Sequence, residues 1–352
     1  MGLLILCRPG FEPEAAAEIA DWATARGLHG YPQATRGEGW VRFHAIQPEG
    51  AVPLPGAREL IFSRQCVRIL ADLENLPRED RLAPILTALR EAGTTRFGEL
   101  IVEHPDSDAA RPLAALARSF GNALRPALRR EAWLPGASDL HKPCLHVCFL
   151  SGTHAVLGIS EPRGERLWPQ GIARLKVPRE APSRSAAKLE EAIETLMSPQ
   201  ERERWLHPGM SAADLGAAPG GWSFILARRH VHVIAIDNGP IQPALLDSGL
   251  VEHLRADGFT WQPPRPLDWM VCDMVEQPRR VAARMADWFT HGWCRHAIFN
   301  LKLPMKKRWL EVQANLGDFH ARCEAAGVTV RTRARQLYHD REEITVLATS
   351  AA

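Results

Sequence analysis

The stretch that most limits how this chain can fold is DLGAAPGGWSFILA, Asp214 to Ala227. A short apolar strand meets a glycine pair and runs straight into a helical segment, the opening unit of an open α/β sheet. Such a turn brings bare backbone N–H groups close to a ligand at the positive end of a helix. A dinucleotide turn needs G-x-G-x-x-G, but Gly216, Ala218 and Gly221 fill those slots; a P-loop ends in Gly-Lys-Ser/Thr, but here stand Gly221, Trp222 and Ser223. Both phosphate readings fit poorly. A ligand with a nucleoside and no phosphate needs the close approach without the phosphate cradle.

Around this turn the second half alternates between strand and helix. Helical SAAKLEEAIETLM precedes strand AADLG and the helix from Gly221; strands VHVIAID, VEHLRAD and DWMVCDM follow, the first two separated by helical PALLDSG. A helix over 278–291, strand HAIFNLK, a helix over 307–326 and strands VTVRTR and EEITVLAT close the chain. This order predicts a mostly parallel sheet covered on both faces, with ligands at the C-terminal strand ends. The main boundary falls near residue 180, where a Pro-, Gly- and Arg-rich stretch lacks periodicity. The first half reads as two α+β groups on an antiparallel or mixed sheet. LLILCRP, EPEAAAEIADWATARG and GWVRFHAI form a β-α-β start; RQCVRILADLENL, RLAPILTALREAG, GELIVEHP, ARPLAALARSFGNALRPALRR and the hairpin CLHVCFLSGTHAVLGIS form the second.

Length and composition narrow the function. At 352 residues the chain suits about two domains with their own cores. No apolar run reaches the roughly 20 residues of a membrane helix. GLLIL lacks a basic leader and is followed at once by Cys7, Arg8 and Pro9, so neither membrane nor export is expected and the chain is placed in the cytoplasm. Seven cysteines without a C-x-x-C pair argue against a disulfide framework or a zinc ribbon. His141, Cys144, His146 and Cys148 match no common ligand spacing, and the alternation of Leu145, Val147 and Phe149 predicts a half-buried strand instead. No metal is expected.

The net charge of +2 is uninformative, but two local clusters are not. Arg163, Arg166, Arg174, Lys176, Arg179, Arg184 and Lys188 face only Glu165 and Glu180, and Lys302, Lys306, Lys307 and Arg308 contain no acid. Either run alone reads as a solvated surface. Two of them flanking one candidate site point to a polyanion.

Strand ends in the second half carry acids. Asp237 closes the strand after the glycine turn, where a carboxylate accepts ribose hydroxyls, and Asp257 and Asp273 close later strands. One such Asp is ordinarily a cap or turn former; three on one rim favour a nucleoside pocket. Lys302 ends strand HAIFNLK on the side that faces the ligand crevice, and Glu343 begins the last strand. Lys188 shares a helical stripe with Leu189 and Ala192, where a snorkelling surface lysine is the plain alternative. Two lysines converging on one pocket would allow one amine to lose its proton, because a neighbouring ammonium and partial burial both disfavour a second positive charge. The two acids push the other way and leave the net effect unsigned at the level of sequence.

Together SRSAAKLEEA, DLGAAPGGWSFIL, VCDM, FNLKLP and REEITV resemble the ribose 2′-O-methyltransferases that carry a Lys-Asp-Lys-Glu tetrad. Lys188, Asp273, Lys302 and Glu343 match the four roles. Glu343 is preferred to Glu342 because the family's glutamate directly precedes an alternating apolar strand. With RPGFE near the start and LYHDREE near the close, the chain is similar over essentially its full length to bacterial enzymes that methylate ribose in 23S rRNA. The resemblance implies a Rossmann-like S-adenosylmethionine (SAM) methyltransferase domain over 181–352, behind a ferredoxin-like subdomain over 1–50 and a THUMP RNA-binding domain with basic linker over 51–180. It implies cofactor contacts from Ser185, Ala218, Pro219, Gly220, Gly221, Asp237, Asp257 and Asp273, with Lys302 as proton acceptor. Ala218 stands where some relatives have Cys, a slot that can act through its backbone. The implied partner is 23S rRNA, at a cytidine of the peptidyl-transferase region; the oligomeric state stays open.

A free lysine titrates near 10.4, so a lysine base working near neutrality needs its neutral form favoured. Other acceptors leave different marks. Exocyclic amine methylation uses Asn/Asp-Pro-Pro-Tyr/Phe where this chain has DMVE, and cytosine C5 methylation needs a nucleophilic cysteine where only Cys272 lies near, inside a strand. A nicotinamide oxidoreductase lacks its glycines here. A non-catalytic RNA-binding protein is the rival of a different kind.

Overall fold

The first half runs β1 (Gly2–Cys7), α1 (Glu12–Thr24), β2 (Gly30–Ala34), β3 (Trp40–Ala45), β4 (Ser63–Leu73), α2 (Leu82–Glu91), β5 (Glu99–Glu103), α3 (Leu113–Arg130), β6 (Cys144–Ser151) and β7 (His154–Ser160), its central strands apolar and its helices amphipathic. The computed structural model describes residues 2–46, 52–93, 96–162, 164–165 and 167–351, so Arg163 and Arg166 of the first basic run lie outside the described residues. Two compact units result, Met1–Ile172 and Ala173–Ala352.

The first unit is built on one sheet in the order β2-β3-β1-β4-β7-β6-β5. Its strand pairs are antiparallel except β5 with β6. The groups expected over 1–50 and 51–180 therefore contribute to a single sheet, joined where β1 pairs with β4. Strand β6 departs from the half-buried expectation. Cys144, His146 and Cys148 are as buried as Leu145, Val147 and Phe149, because β6 lies inside the sheet with both faces covered. His146 is hydrogen-bonded to Glu103 and Ser160, each at 2.9 Å, which satisfies it without a metal.

The second unit runs α4 (Ala186–Leu196), α5 (Pro199–Trp205), β8 (Ser211–Leu215), α6 (Gly221–Ala227), β9 (His232–Ile236), α7 (Pro243–Leu246), β10 (Val251–Leu254), β11 (Leu267–Cys272), α8 (Pro278–Thr290), β12 (Cys294–Lys302), α9 (Arg308–Ala325), β13 (Val330–Arg335) and β14 (Glu343–Ser350). Its sheet has the order β10-β9-β8-β11-β12-β14-β13. The first five strands are parallel, and β14 inserts antiparallel between β12 and β13. The strand order reverses at β8, so the crevice opens at the C-terminal ends of β8 and β11. Antiparallel β14 brings its N-terminal end to the same rim, where Glu343 pairs directly with Lys302.

Among the described strands and α-helices, two were not foreseen. Strand β2 (GYPQA) is a largely exposed edge strand with Pro32, a position where proline costs no ladder hydrogen bond. Helix α5 has no buried residue and is started by a capping box, Ser198 with Glu201. No described helix is long and apolar enough to cross a membrane.

Candidate active site

At the rim of the second sheet four elements deliver charge to one place. Helix α4 carries Lys188, β11 ends beside Asp273, β12 ends on Lys302 and β14 starts on Glu343. Lys188 Nζ lies 3.1 Å from Asp273 Oδ2, 2.9 Å from Asp340 Oδ2 and 2.8 Å from Glu343 Oε1. Lys302 Nζ donates to Glu343 Oε2. Glu343 thus bridges the two amines, while Glu342 is exposed and points to Arg341 and Arg308. The snorkelling reading of Lys188 does not hold, since its side chain is 13% exposed and ringed by carboxylates.

The electrostatics of the two acids and the first amine follow from this packing. Burial disfavours charge on Lys188, but Asp273, Glu343 and Asp340 outweigh it and raise its pKa, so Lys188 is held as an ammonium. Burial, with Asp273 nearby, raises the pKa of Glu343 against the pull of the lysines. Asp340 is lowered: its own burial opposes ionisation, but hydrogen bonding to Lys188 prevails.

Behind these groups stands a polar support that the sequence reading did not pick out. Asn300 Nδ2 donates to Asp273 Oδ1 at 2.7 Å, and Thr345 Oγ1 donates to Asn300 Oδ1 at 2.6 Å, so β12 and β14 both hold Asp273. Glu191, buried on α4 one turn beyond Lys188, accepts from the backbone N–H groups of Tyr338 and His339 at 2.7 and 3.0 Å. Asp340 and its loop are fixed that way. Asn300 and Asp340 lie within FNLKLP and LYHDREE, but no spacing rule singles them out.

The glycine turn is tightly built. Asp237 braces it, accepting from Ala218 N at 3.0 Å and Gly239 N at 2.7 Å through different oxygens. Each oxygen keeps a lone pair for a further donor. A Cβ on Gly221 would sit 2.3 Å from Ser183 Oγ and 2.5 Å from Ser185 Oγ, and one on Gly220, whose φ is 111°, would sit 2.4 Å from Leu245 Cδ1. The protein's own packing already demands both glycines, a reason additional to ligand approach. Trp222 Nε1 donates to Ser185 O at 3.0 Å, which ties the start of α4 to α6 across the turn. Asp257 is exposed and accepts from Phe259 N at 2.8 Å. Beneath the turn, fully buried Asp214 accepts from Ser223 Oγ at 2.7 Å, and its pKa is pushed up to about 7, chiefly by burial.

The ensemble offers carboxylates and backbone groups at the turn and an amine pair joined by a carboxylate next to it. It suits a neutral or cationic ligand with hydroxyls and amines, beside a proton acceptor. Cys272 is fully buried in β11 and its thiol is pushed up to about 12 by burial, which removes it as a nucleophile.

Three family models match the chain: "RlmM ferredoxin-like domain" over residues 1–67, "Ribosomal RNA large subunit methyltransferase M, N-terminal" over 80–161 and "FtsJ-like methyltransferase" over 181–306. The chain is 57% identical over 347 residues, 99% of both chains, to Ribosomal RNA large subunit methyltransferase M of Xanthomonas campestris pv. campestris (strain B100). It is 58% identical over 348 residues to the protein of the same description from Stenotrophomonas maltophilia (strain R551-3), covering 99% of this chain and 97% of the relative. Among solved structures, TrmN from Thermus thermophilus aligns with 99% of both chains at 18% identity and a TM-score of 0.35.

Proposed function

The chain belongs to the ribosomal RNA large subunit methyltransferase M family, and from that premise we propose that it methylates the 2′-hydroxyl of a cytidine in the peptidyl-transferase region of 23S rRNA, with Lys302 as general base. It is an rRNA methyltransferase whose methyl donor is SAM. An rRNA substrate supports a cytoplasmic location.

The residues of the turn fit SAM. Asp237 has acceptor capacity for ribose hydroxyls, exposed Asp257 for the amine-bearing end of the nucleoside, and Asp273 for an α-ammonium. Ser185, Ala218, Pro219, Gly220 and Gly221 form the wall beside them. SAM supplies, when bound, an electrophilic methyl on a sulfonium.

The observation that carries the assignment of roles is the asymmetry of the two amines. Lys188 is enclosed by Asp273, Asp340 and Glu343 and keeps its proton, whereas Lys302 pairs, among the described residues, with Glu343 alone and has its side chain 28% exposed at the strand end. Lys302 is therefore the amine that would meet a ribose hydroxyl and, in its neutral form, would take that hydroxyl's proton; bound SAM would supply the methyl, its carbon–sulfur bond breaking to leave a neutral thioether. The ammonium so formed faces Glu343, and Lys188 fixes Glu343 from the other oxygen. Asn300 and Thr345 keep Asp273 from turning away. General base catalysis of this kind contributes roughly 10²- to 10⁴-fold.

The test is direct. Protein, labelled SAM and unmodified 23S rRNA are incubated, and the RNA is hydrolysed with alkali. Methyl transfer with one linkage resistant to alkali is expected; label on a base removes the ribose assignment, and RNA binding without transfer removes the catalytic one.

A further inference from the structure

Strand β12 has two ends, and only one serves the chemistry above. At the other end, six residues and about 20 Å back along the strand, Arg295 and His296 line a cavity of about 480 Å³. His296 pairs with Thr349 of β14, and Thr349 pairs with Arg331 of β13, so the three side chains stand in one row on one face of the sheet. Helix α5 contributes Arg204 and Trp205 to the same cavity.

The wall is aromatic. Trp205 stacks on His296 with centroids 5.0 Å apart and planes at 24°, and Trp269 backs the same imidazole at 4.8 Å. His296 and Trp269 are buried, while Trp205 is half-buried at the cavity. The rim is cationic. Arg204, Arg295 and Arg331 are exposed and make no ion pair among the described residues. Among the described residues the one carboxylate on the wall, Glu201, is spent on Arg333, which donates to its two oxygens at 2.6 and 2.7 Å. Three unneutralised guanidiniums around a concave site with an indole wall differ from an ordinary solvated basic surface, which has neither concavity nor a π-face. The combination of cationic groove and aromatic platform is the one that holds unpaired nucleotides, the charge taking the phosphate and the ring the base.

We propose that this cavity is a second contact for the RNA substrate, in which Arg204, Arg295 and Arg331 take the backbone phosphates of an unstacked nucleotide and Trp205 receives its base. The inference rests on the RNA reading of the catalytic end and extends it to a part of the sheet that does no chemistry. Contacts here raise affinity and leave the methyl-transfer step alone.

The experiment uses the full chain, SAM and a 23S rRNA transcript, with the double variant Arg295→Ala/Arg331→Ala. Both side chains are exposed, and unchanged SAM affinity and melting temperature check the fold. The expected result is a KM for the transcript about tenfold higher at unchanged kcat, with the slope of log RNA affinity against log salt shallower by about 1.4. A KM and a salt slope equal to the parent's overturn the second contact, even where the parent methylates ribose normally. A parent that binds the transcript but never transfers methyl sinks the catalytic reading instead, and the salt slope then still decides the cavity. Free cytidine monophosphate, followed by tryptophan fluorescence, separates the sources. If it binds the parent and not the variant while the transcript's KM stays put, the site takes free nucleotides and the RNA assignment falls.

Discussion

Two buried polar clusters in this molecule use the same kinds of groups to opposite ends. In the first unit, Glu103, His146 and Ser160 form a chain of hydrogen bonds at 2.9 Å each, joined by Gln65 at 3.2 Å from the imidazole. That order of acid, imidazole and hydroxyl is the one acyl-transfer enzymes use. Yet His146 is 0% exposed and Glu103 and Ser160 are 2% exposed, and the four residues come from β4, β5, β6 and β7. The cluster stitches four strands together and meets no substrate. In the second unit, Lys188, Asp273, Lys302 and Glu343 come from four elements as well, but all at strand or helix ends, and Lys302 reaches the rim. Access, more than residue type, separates the cluster proposed to be reactive from the structural one.

The largest effect is expected from removing the accessible amine. Lys302→Ala should lower kcat by roughly 10²- to 10⁴-fold while calorimetry finds SAM bound with near-parent affinity; undiminished turnover would assign the base elsewhere. Next comes the closed part of the catalytic unit. Asp214 has its pKa raised by burial to about 7, so the folded state keeps a proton that the unfolded chain has released. Stability should therefore fall as pH rises from about 4 to about 7 and then level off, by on the order of 4 kcal/mol at most. Asp214→Asn should flatten that fall, as denaturant melts at pH 5 and pH 8 can show.

The first-unit cluster should respond in stability alone. Ser160→Ala leaves the buried imidazole short of a partner and should cost about 1–3 kcal/mol in chemical unfolding, with kcat untouched. A matching loss of kcat would break the contrast between the clusters. The smallest effect is expected at Asp340→Asn, which removes one of three carboxylates from Lys188. Partly exposed ion pairs contribute about 1 kcal/mol or less, so single-turnover rates should drop by no more than about fivefold.

The legibility of each region in the sequence follows the same physical divide. The parallel sheet of the second unit showed itself through apolar strands spaced by helical segments, and strand ends are where its acids and Lys302 fell. Strand β2 was hidden because Gly30 and Pro32 are poor strand formers that an edge position tolerates. Helix α5 has no apolar face to read, although its Ser198 and Glu201 capping box was visible. Asp340 escaped because a loop residue has no periodicity; its place is set by Glu191, 149 residues earlier, gripping Tyr338 and His339. In β6, alternation of Leu145, Val147 and Phe149 suggested one wet face, but His146 is a polar residue whose partners lie inside the protein.

Helix α4 has a consequence for how this catalytic unit can be cut or transplanted. It carries Lys188, and through Glu191 it sets the loop that delivers Asp340 and leads into Glu343. The alternating sheet begins only at Ser211, so a boundary drawn at the first strand would look natural in a sequence. A fragment made that way would keep every strand of the sheet and lose the ruler against which its chemistry is aligned. The smallest transplantable unit therefore starts before Ser185, with α4 treated as part of the site.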